Sequence, residues 1–106
     1  MDISIGRNRN IYDSPVLRSA ILLNPSTSVE LAPANSDRSG YIVTNNGNQK
    51  VWIKEQDATV DNDKKGWALL ANSVATPPGF TDLFYIGPIS AIADKGNPSV
   101  TIQEIQ

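Results

Sequence analysis

Cysteine and histidine are both missing from this sequence. Without cysteine no disulfide can reinforce the core, and the thiolate ligands of structural zinc sites are gone. Without histidine the chain lacks the commonest metal ligand and the commonest general base at neutral pH. A Ser-His-Asp triad and a Cys-His pair are therefore excluded. No apolar run approaches the roughly 18 residues that a membrane span needs. Positive charge is also short: 9 Lys and Arg stand against 11 Asp and Glu, for a net charge of -2. Such a chain has no broad basic face for phosphates, so nucleic acid is not an expected partner. The opening "MDISIGRNRN" lacks the apolar centre of a signal peptide. The expectation is a chain that folds in the cytoplasm where it is made and reaches any other place as part of an assembly.

With 106 residues there is material for one domain. Residues 1–15, "MDISIGRNRNIYDSP", show little periodicity, with Ile3, Ile5, Ile11 and Tyr12 scattered among Gly, Asn, Arg and Asp. They read as an extended N-terminal arm, either a frayed end or a segment that orders against a partner. Residues 16–106 read as a β body. "VLRSAILL" is a first strand, ended by Asn24-Pro25. "SVEL" is a second, with Val29 and Leu31 on one face and Glu30 on the other. "YIVTN", rich in β-branched residues, predicts a central strand. Asn46-Gly47-Asn48 is the clearest turn signal, since Asn-Gly tolerates the positive φ of tight hairpins, and "QKVWIKE" follows as the hairpin partner. "WALLA" fits a strand or one helical turn, and "NSVATPPGF" is broken by Pro77-Pro78-Gly79. "DLFYIG", "PISAIAD" and "SVTIQEI" predict the last three strands. About eight short antiparallel strands with turn residues every 8–12 positions predict an all-β, single-domain sandwich or barrel.

The candidate chemistry is thin. Asp57, Asp61 and Asp63 are the best metal candidates, because "DNDKKG" begins like a calcium loop. Lys65 at the fifth place and Asn72 at the twelfth spoil the pattern, so a solvated turn is the preferred reading and no metal or cofactor is expected. The carboxylates Asp2, Asp13, Glu30, Asp37, Glu55, Asp82, Asp94 and Glu104 fall mostly in predicted turns or on polar strand faces. They suggest no paired acid and base, and the chain is not expected to be an enzyme. Trp52, Trp67, Phe80, Phe84 and the tyrosines serve either a core or interface, or a sugar-stacking platform. Trp52 stands apart because it points opposite to Val51 and Ile53. Arg7, Arg9 and Arg18 either hold an acidic protein surface or are solvated.

"LAPANSDRSGYIVTN" is similar to a motif common in small virion proteins of tailed bacteriophages, at Leu31, Ala34, Asn35, Arg38, Ile42 and Asn45. "FYIGPISAIADKGNPSVTIQE" resembles that group's closing block, at Tyr85, Gly87, Ile89, Ala91, Ile92, Gly96, Val100, Ile102 and Glu104. The likeness spans residues 31–105 and leaves the first 24 unmatched. It implies a β-sandwich or barrel that assembles as a homotrimer, with no catalytic residues. Asn35 and Asp37 are placed to fix a tight turn, and Arg38 to pin a loop or a neighbouring subunit. Asn35, Arg38, Asn45, Trp52 and Tyr85 are thus expected in structural or interface roles. The expected function is a capsid decoration (cement) protein on the outer capsid of a virion. Its arm residues Ile3, Ile5, Arg7, Arg9, Ile11 and Tyr12 would bind the major capsid protein or another virion protein. A head-fibre, neck or tail component and a carbohydrate-binding attachment module are the alternatives.

Overall fold

The structure is a computed structural model that describes residues 16–72, 74–75 and 85–105. These residues form eight strands and no helix: β1 (Val16–Leu22), β2 (Val29–Ala32), β3 (Gly40–Asn45), β4 (Val51–Lys54), β5 (Trp67–Leu69), β6 (Val74–Ala75), β7 (Ile89–Ala93) and β8 (Ser99–Ile105). They build two antiparallel sheets with no shared strand. The first runs β1-β8-β3, with the two-residue β6 added beside β3; the second runs β2-β7-β4-β5. The architecture is a sandwich, which decides between the two expected forms.

Period-two alternation explains which side each residue takes. Along β8, Val100, Ile102 and Glu104 are buried while Ser99, Thr101 and Gln103 are half-buried. β3 pairs with it in register, so Tyr41, Val43 and Asn45 face inward beside Glu104, Ile102 and Val100. The second sheet answers with Val51, Ile53, Leu69, Ile89, Ala91 and Ala93, all in the buried core. Each fully buried Ile, Leu or Val stabilises by about 1.5–3 kcal/mol relative to exposure. β1 follows the same rule except at a bulge between Arg18 and Ile21, where Ala20 takes φ +57°.

Two expectations about local structure are corrected. Asn46-Gly47-Asn48 does not close a hairpin. β3 lies in the first sheet and β4 in the second, so these residues cross between sheets. β8 and β6 already occupy both edges of β3, leaving β4 nothing to pair with. Gly47 does not adopt positive φ; it is needed because a Cβ there would lie 2.5 Å from the Pro98 Cβ. Residues 85–87 of the expected strand "DLFYIG" belong to no strand. The Tyr85 and Gly87 carbonyls are instead taken by Arg38. "NSVATPPGF" contains β6 among its described residues, and "WALLA" begins as a strand. The arm, residues 1–15, and Phe80, Asp82 and Phe84 lie outside the described residues.

Candidate functional site

Three of the five residues expected in structural or interface roles meet at one end of the sandwich. Glu104 is an inward residue of β8 and only 1% exposed. Its Oε1 accepts from Arg38 Nε at 2.8 Å and Asn35 Nδ2 at 3.2 Å, and its Oε2 accepts from Arg18 Nη1. Arg38, itself buried, donates further to the carbonyls of Tyr85 (3.0 Å), Gly87 (2.8 Å) and Pro33 (2.8 Å). The planar guanidinium thus ties the β2–β3 connection and the segment before β7 to the end of β8. Asn35 holds the turn itself, accepting from the Asp37 amide at 3.0 Å through Oδ1. Tyr85 donates its hydroxyl to the Pro88 carbonyl at 2.7 Å. Burial alone would raise the Glu104 carboxyl, but bonds from Arg18, Arg38 and Asn35 outweigh it and hold the group below the ordinary glutamate range.

Two further polar clamps cross the core. Asn45 is fully buried; its Nδ2 donates to the carbonyls of Gln49 (2.8 Å), Leu69 (3.2 Å) and Leu70 (3.1 Å), and its Oδ1 accepts from the Gly47 amide at 2.9 Å. A side chain of the first sheet therefore satisfies backbone groups of the second. Tyr41 reaches a side chain instead, donating its hydroxyl to the carboxylate Oε2 of Glu55, just past β4, at 2.8 Å. Burial first, and the Glu55 carboxylate second, push the Tyr41 phenol far above its usual range.

The outward sides of the two sheets differ in kind. On the second sheet Glu30, Trp52 and Lys54 pair with Ser90 and Ile92, so all of these point away from the core. Lys54 is nonetheless only 2% exposed. Its Nζ donates to Ser28 Oγ (2.5 Å), Asp61 O (3.3 Å), Asp61 Oδ1 (3.3 Å) and Asp63 O (3.2 Å), which places residues 57–66 on this side. Ser90 and Ile92, though outward, have no exposed surface. The Lys50 ammonium sits 4.8 Å from the Trp52 ring centroid, and the Trp52 indole N–H is buried without a partner. On the first sheet Leu17, Gln103 and Ile42 form one outward row, Thr101 and Thr44 a second, and Leu22 and Ser99 a third. No ionisable side chain is among them. Leu17 is 61% and Leu22 63% exposed.

The acidic cluster is occupied by the chain's own donors. Asp57 Oδ1 accepts from the Thr59 amide (2.8 Å) and hydroxyl (2.6 Å). Asp61 Oδ2 pairs with Lys65 Nζ at 2.6 Å, and Oδ1 takes the Asp63 amide at 3.0 Å, holding that carboxyl far below its usual range. Gly66, at the sixth place of the calcium-like run, has φ +96°. The cations at these oxygens are the Lys54 and Lys65 ammonium groups, of which Lys54 is the buried one.

Arg18 is partly exposed and pairs through Nη1 with Glu104, while Arg7 and Arg9, grouped with it in the sequence, lie outside the described residues. Ile3, Ile5, Ile11 and Tyr12 lie outside them as well. Trp52 is outward and half-buried, apart from the Arg38 node. Sequence reasoning missed two residues. Glu104 shares the parity of Val100 and Ile102, a signal that it faces inward. Lys54 gave no local signal, since its cover comes from residues 57–66 and Ser28. Compared with known proteins, the chain matches no family model, no curated protein and no solved structure.

Proposed function

We propose that this chain is a virion structural protein of a tailed phage. In this reading it is a capsid decoration protein that assembles as a homotrimer and sits on the outer capsid. Residues 1–15 are the contact arm to the major capsid protein. One observation carries the binding role: the polar residues of both motif blocks are committed to holding the fold together. Among the described residues, the outward rows of the first sheet, which begins at Val16, carry no charge. Asn35, Arg38, Tyr85, Gly87 and Glu104 come from both blocks and serve one node, so the likeness of residues 31–105 supports a shared scaffold. The virion setting rests on that likeness.

Mechanically this is multivalent clamping. Three arms on one rigid body raise each other's effective concentration, so modest single contacts sum to strong retention. Seated copies then stabilise the intact shell by linkage. The test is deletion of residues 1–15: the truncated protein should keep its oligomeric mass and lose binding to undecorated capsids. Retained binding would refute the arm. Copy number per virion tests the rest, because hundreds of copies mark decoration and a dozen or fewer mark a neck, tail or head-fibre part.

A further inference from the structure

We propose that Asn46 is a modification site: its side-chain amide is the first in this chain to be lost as ammonia, leaving aspartate or isoaspartate, and the crossing between the sheets sets the rate. Nothing in this chemistry depends on the virion reading. Asn46-Gly47 is the one Asn-Gly step in the sequence. Glycine has no side chain to shield its own backbone nitrogen from the asparagine amide before it. Gly47 cannot be exchanged for a bulkier residue, because a Cβ there would lie 2.5 Å from the Pro98 Cβ. The packing of the crossing therefore keeps an unshielded backbone nitrogen next to an exposed Asn46.

The reaction needs only the chain and water. The Gly47 nitrogen gives its proton to solvent base and attacks Asn46 Cγ. The N–Cγ bond forms, the Cγ–Nδ2 bond breaks, and Nδ2 takes a proton from water and leaves as ammonia. Water then opens the cyclic imide at either carbonyl, giving aspartate by one opening and isoaspartate, with its backbone routed through Cγ, by the other. Both reacting groups are held back in the fold. Gly47 N donates to Asn45 Oδ1 at 2.9 Å, and Asn46 Nδ2 donates to Thr101 Oγ1 at 2.8 Å. The backbone around the step is fixed as well: the Asn46 amide donates to the Ser99 carbonyl at 2.9 Å, and the Gly47 carbonyl accepts from the Asn72 amide at 3.1 Å. Attack requires the Asn46 side chain to leave Thr101 and the Gly47 N–H to leave Asn45. Asn45 is fully buried, whereas the bond to Thr101 is exposed. Thr101 is thus the brake that can be removed without opening the core. It stands on the outward side of β8, so the acid formed at Asn46 brings a negative charge to rows that carry none among the described residues.

The experiment incubates the full chain in mildly alkaline buffer and follows conversion by peptide mass and isoaspartyl methylation. In denaturing urea Asn46 should convert before every other asparagine, and in the folded protein it should convert more slowly. Thr101→Val keeps a β-branched residue and removes the acceptor. It should speed conversion in the folded protein roughly threefold to tenfold, with an unchanged far-ultraviolet spectrum. Thr101→Ser keeps a hydroxyl and should keep the wild-type rate. In urea all three chains should match. Earlier conversion at another asparagine in urea, equal folded rates for wild type and Thr101→Val, or a gap between them that survives urea overturns the proposal. Should Thr101→Val fail to fold, exchange of the Gly47 amide in wild type decides: protection supports the brake and free exchange refutes it.

Discussion

The two sheets handle charge in opposite ways. Among the described residues the first carries Glu104 and the partly exposed Arg18 at inward positions, and its outward rows hold no ionisable group. The second has an apolar inner side and carries Glu30, Lys50 and Lys54 outside. Inward charge is tolerable only where it is paired and hydrogen-bonded, and the first sheet meets that demand at the node around Arg38. Freed of charge, its outer side loses the usual defence against association. The second sheet keeps that defence and adds a cover. The comparison teaches that a sheet can bury charge on its inner or its outer side, provided each buried charged group finds partners.

Breaking the inward node should have the largest effect. Arg38→Met leaves the Tyr85, Gly87 and Pro33 carbonyls without this donor and removes one of the three donors to Glu104. Loss of one partner of a buried pair costs about 3–5 kcal/mol, read as a lower urea midpoint. The outward counterpart is Lys54→Met. It strips the shared donor from Ser28, Asp61 and Asp63 and should cost about 1.5–3 kcal/mol. Here the loss should be local, with faster amide exchange in residues 57–66 and little change in β8.

Titration sharpens the contrast further. The folded Glu104 carboxyl lies below its unfolded value, so its contribution is present above about pH 4.3 and fades as pH falls through the folded value. Tyr41 behaves in the opposite sense. Its folded value lies above the unfolded one, so its contribution is complete below about pH 10 and fades as pH rises beyond. Glu104→Gln should flatten the acid limb of a stability–pH profile and Tyr41→Phe the alkaline limb; an unchanged limb in either variant would rule that assignment out. The smallest effect is at the bulge on β1. Ala20→Gly relieves a side chain held at φ +57° and should raise stability by about 1 kcal/mol in thermal unfolding.

Much of the fold was legible in the alternation. "SVTIQEI" coincides with β8, and "PISAIAD" contains β7, because strict period-two burial leaves its mark in residue type. The crossing at Gly47 was not legible. Asn-Gly reports a local turn, while the choice between hairpin and crossover depends on whether β3 has a free edge, which distant strands decide. Glu104 was misjudged from its chemistry although its parity pointed inward. Arg38 could be read as a pin, but its three carbonyl targets lie up to 49 residues away and only the folded chain brings them into range.

Asp61, Asp63 and Ser28 close around an ammonium group that is covalently part of the chain. A tethered cation cannot be chelated, exchanged or diluted away. Unlike a loop that waits for calcium, this one carries its central cation on its own chain and needs none from the solvent.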